Sequence, residues 1–160
     1  MYARQCRIGL IVPSSNTTME SEFVRYVPEG VSVQTARLPL ERVTEDELIK
    51  MAEKVEEAAA LLADAQVDVI AYGCTSGSLI KGKGHGIKLE ERIGRATGIP
   101  AVATAHAVLN ALRAKGLKKI AVATPYSKEI NEKEREFISD NGFEVLAIHG
   151  LGLTKNLEIG

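Results

Sequence analysis

The sequence predicts an α/β protein built on a doubly wound parallel sheet. Short apolar runs rich in β-branched residues alternate along the chain with helix-forming stretches, and strands that alternate with helices pair in parallel. Several runs are apolar nearly throughout, which is typical of strands buried on both faces of a sheet. In chain order, the predicted strands are residues 7–12, 31–38, 67–72, 99–103, 118–124 and 143–148.

The segments between these strands carry helix signals. The clearest follows the second strand, where Thr44 and Glu47 have capping-box spacing and apolar residues recur on one face as far as Leu62. Gly116 is a stop signal, and the charged stretch "EINEKEREF" is interpreted as a solvated helix face. Besides the helix after Thr44, helices are predicted at residues 17–27, 88–97, 104–115 and 127–140.

Composition excludes several classes of function. The 160 residues include 20 basic and 21 acidic side chains, and this balance lacks the basic excess of a nucleic-acid-binding protein. No apolar run approaches the roughly 20 residues that cross a bilayer, and no secretory signal is evident at the start. We therefore expect a cytoplasmic protein that has neither a membrane nor a nucleic acid as its partner.

Residues that commonly hold metals or disulfides are few. Cys6 and Cys74 are the only cysteines, which gives neither a disulfide framework nor a zinc pattern. His85, His106 and His149 have no ligand spacing, and we assign none of them a role in catalysis. These residues therefore give no indication of a metal site.

One stretch of sequence is echoed later in the chain. "IGLIVPSS" at residues 8–15 and "IAVATPYS" at residues 120–127 both read as a strand, a proline and a hydroxyl-rich turn. This similarity predicts one complete lobe followed by the beginning of a second, related lobe. The alternative is a chance similarity, because β-rich strands resemble one another readily.

The third predicted strand leads directly into a cysteine. In "AYGCTSGS", Cys74 follows the strand, and Thr75 and Ser76 come next. Doubly wound sheets bind ligands at such carboxyl ends, and a helix N-terminus there lowers a thiol pKa and makes the thiolate a nucleophile. The alternative is a buried structural thiol, since free cysteine is among the most buried residue types. Cys6, away from any such turn, is interpreted as structural.

Two further turns are predicted at the same edge of the sheet. After the first strand, Thr17 and Glu20 have capping-box spacing, so Ser15 and Asn16 precede a helix N-terminus that favours an anion such as a carboxylate. The alternative is a helix cap without a ligand. In "TPYS", Tyr126 would bring a phenol that donates a hydrogen bond or takes part in proton transfer, unless it only packs.

A competing motif overlaps the cysteine turn. Gly77, Gly82 and Lys83 have the spacing of a phosphate-binding loop, but Gly84 stands where that loop needs Ser or Thr. "GKGHG" is also a poor helix start, so a mobile Gly/Lys loop is the alternative interpretation.

These motifs together resemble a known family. "GLIVPSSNTTME", "YGCTSGS", "TPYS" and "GLTKNLEIG" are similar to the maleate cis-trans isomerases, in the aspartate/glutamate racemase superfamily that also includes arylmalonate decarboxylase. The similarity extends along essentially the whole chain, although the decarboxylase has glycine where this chain has Cys74. It implies a two-lobed racemase-like fold, with residues 1–116 as the first lobe and residues 117–160 as the beginning of the second.

The resemblance also implies a function. The Cys74 thiolate would add to the double bond of maleate or a close small dicarboxylate, and rotation followed by elimination would give fumarate without a cofactor. Tyr126 would assist catalysis. The residues that would bind the substrate carboxylates are Ser15, Asn16, Thr75, Ser76 and Asn156. A homodimer or higher homo-oligomer is also implied.

One departure from the family concerns a second cysteine that faces the first and transfers the proton. No cysteine follows Cys74, so we expect this chain to be truncated and inactive alone. The alternative functions are a racemase or an arylmalonate-decarboxylase-like enzyme that acts by proton transfer. A non-catalytic binder of small carboxylates, or an incomplete fragment, is the alternative from another class.

Overall fold

The computed structural model describes residues 5–160 and has the predicted α/β architecture, in which each of the six predicted strands is present. The elements in chain order are β1 (Cys6–Pro13), α1 (Met19–Tyr26), β2 (Val31–Leu38), α2 (Glu45–Glu53), α3 (Val55–Asp64), β3 (Val69–Tyr72), α4 (Thr75–Leu79), α5 (His85–Thr97), β4 (Ala101–Ala103), α6 (Thr104–Ala114), β5 (Lys119–Tyr126), α7 (Lys128–Asp140), β6 (Glu144–Leu153) and α8 (Asn156–Ile159).

The strands form two parallel sheets. Four of them lie in the order β2-β1-β3-β4, and β5 pairs with β6 in a second sheet. In the larger sheet the central strand β1 ends at Pro13, beside Leu38 of β2, and β3 ends at Tyr72, opposite Ile11. Parallel strands finish at one edge of a sheet, so the turns after β1 and β3 lie next to each other.

The packing explains why these segments fold as they do. Leu10, Ile11 and Val12 of β1 are almost fully buried, as the central strand of a sheet covered by helices must be. A second apolar cluster joins α4, α6 and α7 to the loop before β6; it consists of Leu79, Ala105, Leu109, Phe137, Ile138 and Phe143. This cluster holds α7, and with it the end of β5, against the turn that follows β3.

The segment between β2 and β3 differs from its prediction. It forms two helices that are interrupted at Lys54, rather than one. The predicted capping box is wrong, because the Thr44 side chain makes no cap hydrogen bond. The Glu47 carboxylate instead accepts hydrogen bonds from the backbone N–H groups of Glu41 and Arg42, at 3.2 and 2.8 Å. Glu47 therefore fixes the loop before the helix.

The helix after the glycine-rich loop begins earlier than predicted. Helix α5 begins at His85, because Gly84 adopts a left-handed conformation (φ 82°) that lets the chain enter the helix. Lys83 lies ahead of the helix, and its Nζ donates to the backbone carbonyl of Asp140 at 2.8 Å. This geometry is not that of a nucleotide-binding loop, whose lysine opens the helix.

Between residues 5 and 160, the chain contains no helix whose length and apolarity would suit a membrane span.

Candidate active site

Cys74 stands at the turn between β3 and α4, as its place in the sequence predicted. Its backbone is extended and it occupies the N-cap position of α4. The Sγ atom accepts a hydrogen bond from the Gly77 N–H at 3.3 Å and lies 3.7 Å from the Ser76 hydroxyl oxygen. The sulfur is therefore part of the helix cap, which orients it and supplies donors for negative charge.

The glycines on either side of Cys74 are needed for this geometry. A side chain at Gly73 would collide with Met19 and would lie 3.0 Å from the carbonyl oxygen of Ile11. A Cβ at Gly77 would lie 2.7 Å from the Tyr72 hydroxyl and 3.0 Å from the Cys74 sulfur. Glycine at both positions lets the turn pass close to β1 and brings the Gly77 N–H up to the sulfur.

The direction of the thiol pKa shift contradicts the expectation from sequence. Burial raises the pKa of Cys74 above its ordinary value, although the hydrogen bonds from Gly77 and Ser76 lower it in part. The expectation of a lowered pKa was therefore wrong for the unliganded chain. The physical reason is that only 7% of the residue is exposed, and loss of hydration disfavours the thiolate more than a short helix cap favours it.

A cavity of about 220 Å³ opens in front of Cys74. Six of the seven predicted site residues line it: Asn16, Cys74, Thr75, Ser76, Tyr126 and Asn156. They come from the turns after β1, β3 and β5 and from the start of α8, so residues up to 140 positions apart in the chain meet here. Thr104, which sequence reasoning missed, also lines the cavity, and its hydroxyl donates to the Tyr72 carbonyl at 2.9 Å.

The side-chain amide oxygen of Asn16 caps the beginning of α1. Its Oδ1 accepts hydrogen bonds from the N–H groups of Thr18 and Met19, at 3.2 and 2.9 Å. The predicted capping box was wrong, because Glu20 forms an ion pair with Arg37 at 2.7 Å instead. With its oxygen occupied, Asn16 has its Nδ2 donor left over, and no partner for this atom lies within residues 5–160.

Ser15 does not line this cavity; it lines a larger hollow beside α2 and positions another site residue. Its hydroxyl donates to the Leu40 carbonyl and accepts a hydrogen bond from Nδ2 of Asn156 at 2.9 Å. The Asn156 backbone N–H also donates to the Glu41 carbonyl, at 2.9 Å. These contacts hold the buried Asn156 against the first turn and leave the second hydrogen of its amide for a ligand.

Tyr126 closes the cavity from the end of β5. Burial raises the pKa of its phenol well above the ordinary value, and the nearby Cys74 and Glu134 add to this effect. Hydrogen bonds with the hydroxyls of Ser76 and Thr75 act in the opposite direction. At neutral pH the phenol therefore keeps its proton and serves as a donor.

Glu134 is a buried acidic residue that the sequence did not reveal. The charged stretch around it was interpreted as a solvated helix face, but only 9% of Glu134 is exposed and its Oε2 has no partner within residues 5–160. Burial raises the pKa of its carboxyl to about 7. The interpretation was wrong at this position because the packing of α7 against α4 decides which face of α7 is buried.

A larger hollow, of about 660 Å³, lies beside α2. Glu41, Glu47, Glu53, Lys50 and Lys54 line it, and it contains no cysteine. No group of three His, Cys, Asp or Glu side chains within residues 5–160 is arranged to hold a metal ion. The nucleophile and the convergent neutral donors make the cavity at Cys74 the stronger candidate, although it is the smaller of the two.

Comparison with known proteins identifies close relatives. A sequence model of the arylmalonate decarboxylase family matches residues 8–159. Maleate isomerase of Geobacillus stearothermophilus is 36% identical over 171 residues, covering 99% of this chain and 68% of that protein.

Two solved structures are also similar. A variant of maleate isomerase from Pseudomonas putida S16, crystallised with maleate, superposes with a TM-score of 0.91 at 33% identity, over 96% of this chain and 66% of that one. Maleate cis-trans isomerase of Nocardia farcinica with a covalently bound succinylcysteine intermediate superposes with a TM-score of 0.88 at 27% identity, with the same coverage. The chain thus spans about two thirds of the length of these relatives, and it belongs to the family of maleate isomerases and arylmalonate decarboxylase.

Proposed function

We propose that this protein catalyses the cofactor-independent cis–trans isomerisation of maleate, or of a close small dicarboxylate, to the trans isomer fumarate, with Cys74 as the nucleophile. The observation that carries the proposal is the meeting of Cys74 with Asn16, Tyr126 and Asn156 around one cavity. The names of the relatives support it, because maleate isomerases match nearly the whole chain.

The size and polarity of the cavity suit a small dianion. Its volume of about 220 Å³ is below the roughly 300–1,000 Å³ of sites for drug-sized ligands. The donors that face it are neutral, namely an amide of Asn16, an amide of Asn156 and the phenol of Tyr126, and the exposed acidic residue Glu22 also belongs to its lining. Such donors bind carboxylates by hydrogen bonds and leave the alkene carbons beside the sulfur free to react.

The proposed reaction balances within the bound complex. The Cys74 sulfur forms a bond to one alkene carbon, the π bond breaks, and its electron pair goes to the adjacent carbon, which takes up a proton. The thiol releases its proton to solvent and the carbon takes one proton up from solvent, so the addition of S and H across the double bond leaves no net charge change. Rotation about the new single bond and reversal of the addition then release the trans isomer and restore the thiol.

The hydrogen bonds to Cys74 stabilise negative charge on its sulfur. The Gly77 N–H and the Ser76 hydroxyl stabilise the sulfur when it carries negative charge, both before addition and after elimination. Tyr126, which stays protonated, is assigned the stabilisation of the negative charge that develops on the substrate. Because burial keeps the thiol mostly protonated, turnover is expected to rise with pH as the thiolate fraction increases.

Mass spectrometry of the intact protein after incubation with maleate tests this proposal. We expect an adduct with the mass of one maleate, mapped by peptide analysis to Cys74 and absent from Cys74→Ser. A Cys6→Ser variant, in which the active-site thiol is kept, should form the adduct as the unaltered protein does. Undiminished conversion of maleate by Cys74→Ala would overturn the covalent mechanism.

The second candidate function is decarboxylation of an arylmalonate by proton transfer, and the match to the arylmalonate decarboxylase family over residues 8–159 favours it. In this reaction the carbanion left by loss of CO₂ would take a proton, for which the thiol of Cys74 and the phenol of Tyr126 are the available acids. Release of CO₂ from phenylmalonate, without conversion of maleate, would select this candidate. Binding of either acid without turnover would indicate a carboxylate-binding protein.

We also propose that residues 1–116 and residues 117–160 belong to two lobes with the site between them. Two observations support this division: β5 and β6 form a sheet of their own, and the sequence echo places Pro13 at the end of β1 and Pro125 near the end of β5. Limited proteolysis that cuts first near residue 116 and leaves the earlier part folded would be consistent with it. Preferred cleavage inside the four-stranded sheet would contradict it.

A further inference from the structure

A second cavity, of about 300 Å³, lies at the beginning of α5 and shares no lining residue with the cavity at Cys74. Apart from Leu89, its lining consists of basic side chains: Lys81, Lys83, His85, Lys88 and Arg92. The proposed reaction uses none of them. Such a concentration of positive charge around a cavity attracts anions.

The positive charge of this cavity is only partly compensated. Arg92 pairs with the carboxylate of Glu56, and the amino group of Lys83 is held by the Asp140 carbonyl at 2.8 Å. Lys81 and Lys88 have no ion pair with any residue in the part of the chain that the structure describes. With Glu56 set against Arg92, three lysine charges remain around the cavity.

His85 supplies the second observation, which is independent of the lysines. It is 8% exposed and lines the cavity, and its Nε2 is buried without a partner among residues 5–160. Burial lowers the pKa of the ring, and the nearby backbone of Gly77 acts in the opposite direction. A buried polar nitrogen is costly to leave unpaired, so its position points to a ligand that would pair with it.

The dipole of α5 adds to the positive potential near the cavity. Helix α5 has 13 residues, its N-cap is Gly84, and no side chain caps its first turn. The dipole therefore favours negative charge near the beginning of the helix, although Gly84, Gly86 and Ile87 line a neighbouring cavity and the His85 N–H donates to the Gly82 carbonyl at 3.2 Å.

We propose that this cavity is a binding site for a small oxyanion with two negative charges, of the phosphate or phosphate-monoester class. Lys81 and Lys88 neutralise its charge, the dipole of α5 favours it, and Nε2 of His85 takes a proton from the ligand or from solvent and becomes a donor. The site differs in chemistry from the Cys74 cavity, where the donors are neutral.

The proposal includes a dependence of affinity on pH. Burial, Lys81 and Arg92 lower the pKa of His85 to about 4, with a smaller effect of Lys88, so the ring is neutral near pH 7 when the cavity is empty. A bound dianion offsets these charges and raises the pKa, and binding is then accompanied by proton uptake. The other charged groups here are Lys83 and Glu56, and the hydrogen bond from Arg92 holds the pKa of the Glu56 carboxyl below its ordinary value. Affinity should therefore rise as the pH falls from 8 to 6.

Calorimetric titration of the full chain with sulfate and with inorganic phosphate tests the site. Sulfate keeps its charge over this pH range, so any change of its affinity with pH results from ionisation of groups in the protein. We expect saturable binding near millimolar concentration, weakened about tenfold or more in Lys88→Gln and in Lys81→Gln. The matched control is Lys115→Gln, which removes the same charge from an exposed position at the end of α6 and should leave affinity unchanged.

Two further variants distinguish binding in this cavity from binding elsewhere on the protein. His85→Gln should abolish the rise of sulfate affinity at low pH, and the NMR signal of the His85 ring should shift during titration. Asn16→Ala should leave sulfate affinity unchanged, because Asn16 lines the other cavity. If methyl phosphate binds with the same affinity as inorganic phosphate, the ligand is a phosphate monoester. If methyl phosphate does not bind, the ligand is free phosphate. Absence of saturable binding, or equal weakening by Lys115→Gln and Lys88→Gln, would overturn the proposal.

Discussion

Residues 74–76 line the cavity at Cys74, and residues between 81 and 92 line the cavity at the start of α5, but the chemical groups in the two cavities differ. The first combines a thiol with neutral amides and hydroxyls, and the second combines lysines with a buried imidazole. Gly77 lies between them, since its N–H donates to the Cys74 sulfur and its backbone contacts the His85 ring. Charges that hold a substrate dianion equally well before and during reaction lower KM without raising kcat. The contrast thus separates a site suited to turnover from a site suited to retention of an anion.

Loss of the nucleophile should give the largest difference between the two cavities. Cys74→Ser should abolish the maleate adduct and lower any turnover of maleate by at least about a thousandfold, because a serine hydroxyl is far less nucleophilic than a thiolate, while sulfate affinity stays the same. Steady-state kinetics and calorimetry on one preparation measure both quantities. Cys6→Ser is the matched control, since Cys6 lies at the start of β1, and its kinetics should be unchanged.

The second largest effect is expected from the amide that faces the substrate. Asn16→Ala removes the free Nδ2 donor together with the cap of α1, and the loss of one hydrogen bond to a charged group costs about 1.5–3 kcal/mol. We expect KM to rise roughly ten- to a hundredfold with a smaller change in kcat. Asn16→Asp keeps the capping oxygen but replaces the donor with an acceptor, so it separates capping from binding. A KM that is unchanged in both variants would exclude Asn16 from the site.

The sequence predicted the strands and the place of Cys74 because both depend on local patterns. β1 and β3 are continuous apolar runs, and the turn after such a strand is where this architecture places ligands. Helix α4 has only five residues, too few for a helical period to be visible. The break at Lys54 likewise left the apolar periodicity of the region intact, so one helix was predicted where two exist.

What the sequence could not provide was the environment of each site residue. The raised pKa of Cys74 depends on burial by segments distant in the chain, and the burial of Glu134 depends on where α7 packs. Spacing suggested capping boxes at Thr17 and Thr44, but tertiary partners took the two glutamates: Arg37 binds Glu20, and the loop before α2 binds Glu47. Local rules therefore predicted the positions of the site residues, while long-range packing determined their chemical state.

Gly77→Ala should disturb both cavities, because Gly77 contacts both. The added Cβ would meet the Tyr72 hydroxyl at 2.7 Å, Met51 at 2.9 Å and the Cys74 sulfur at 3.0 Å, so we expect a loss of about 1–3 kcal/mol in the free energy of unfolding. Turnover should fall several-fold as the sulfur is displaced. The matched control is Gly94→Ala in α5, where the new Cβ meets only the Ile99 carbonyl at 3.8 Å. There we expect a gain of about 0.5–1 kcal/mol from helix propensity. Equal effects of both variants in urea denaturation would contradict this role of Gly77.

The smallest effect on turnover is expected at Glu134, which lies behind Tyr126 and outside the Cys74 cavity. Its carboxyl has a pKa of about 7 when folded and an ordinary value of 4.5, so the folded state binds the proton more tightly. Below pH 4.5 the carboxyl is protonated in both the folded and the unfolded state, so it does not affect stability. Between pH 4.5 and 7 only the unfolded state ionises, and the free energy of unfolding falls as the pH rises. Above pH 7 this loss of stability is complete.

Glu134→Gln keeps the shape without the charge and should raise the free energy of unfolding at pH 8 by the order of 2 kcal/mol, with little change at pH 4. Turnover at pH 7 should change less than about threefold, since the carboxylate acts on Tyr126 only at a distance. Glu132→Gln, on the exposed face of the same helix, is the control and should show no such difference between the two pH values. An unchanged pH dependence of unfolding in Glu134→Gln would show that the carboxyl is hydrated when folded.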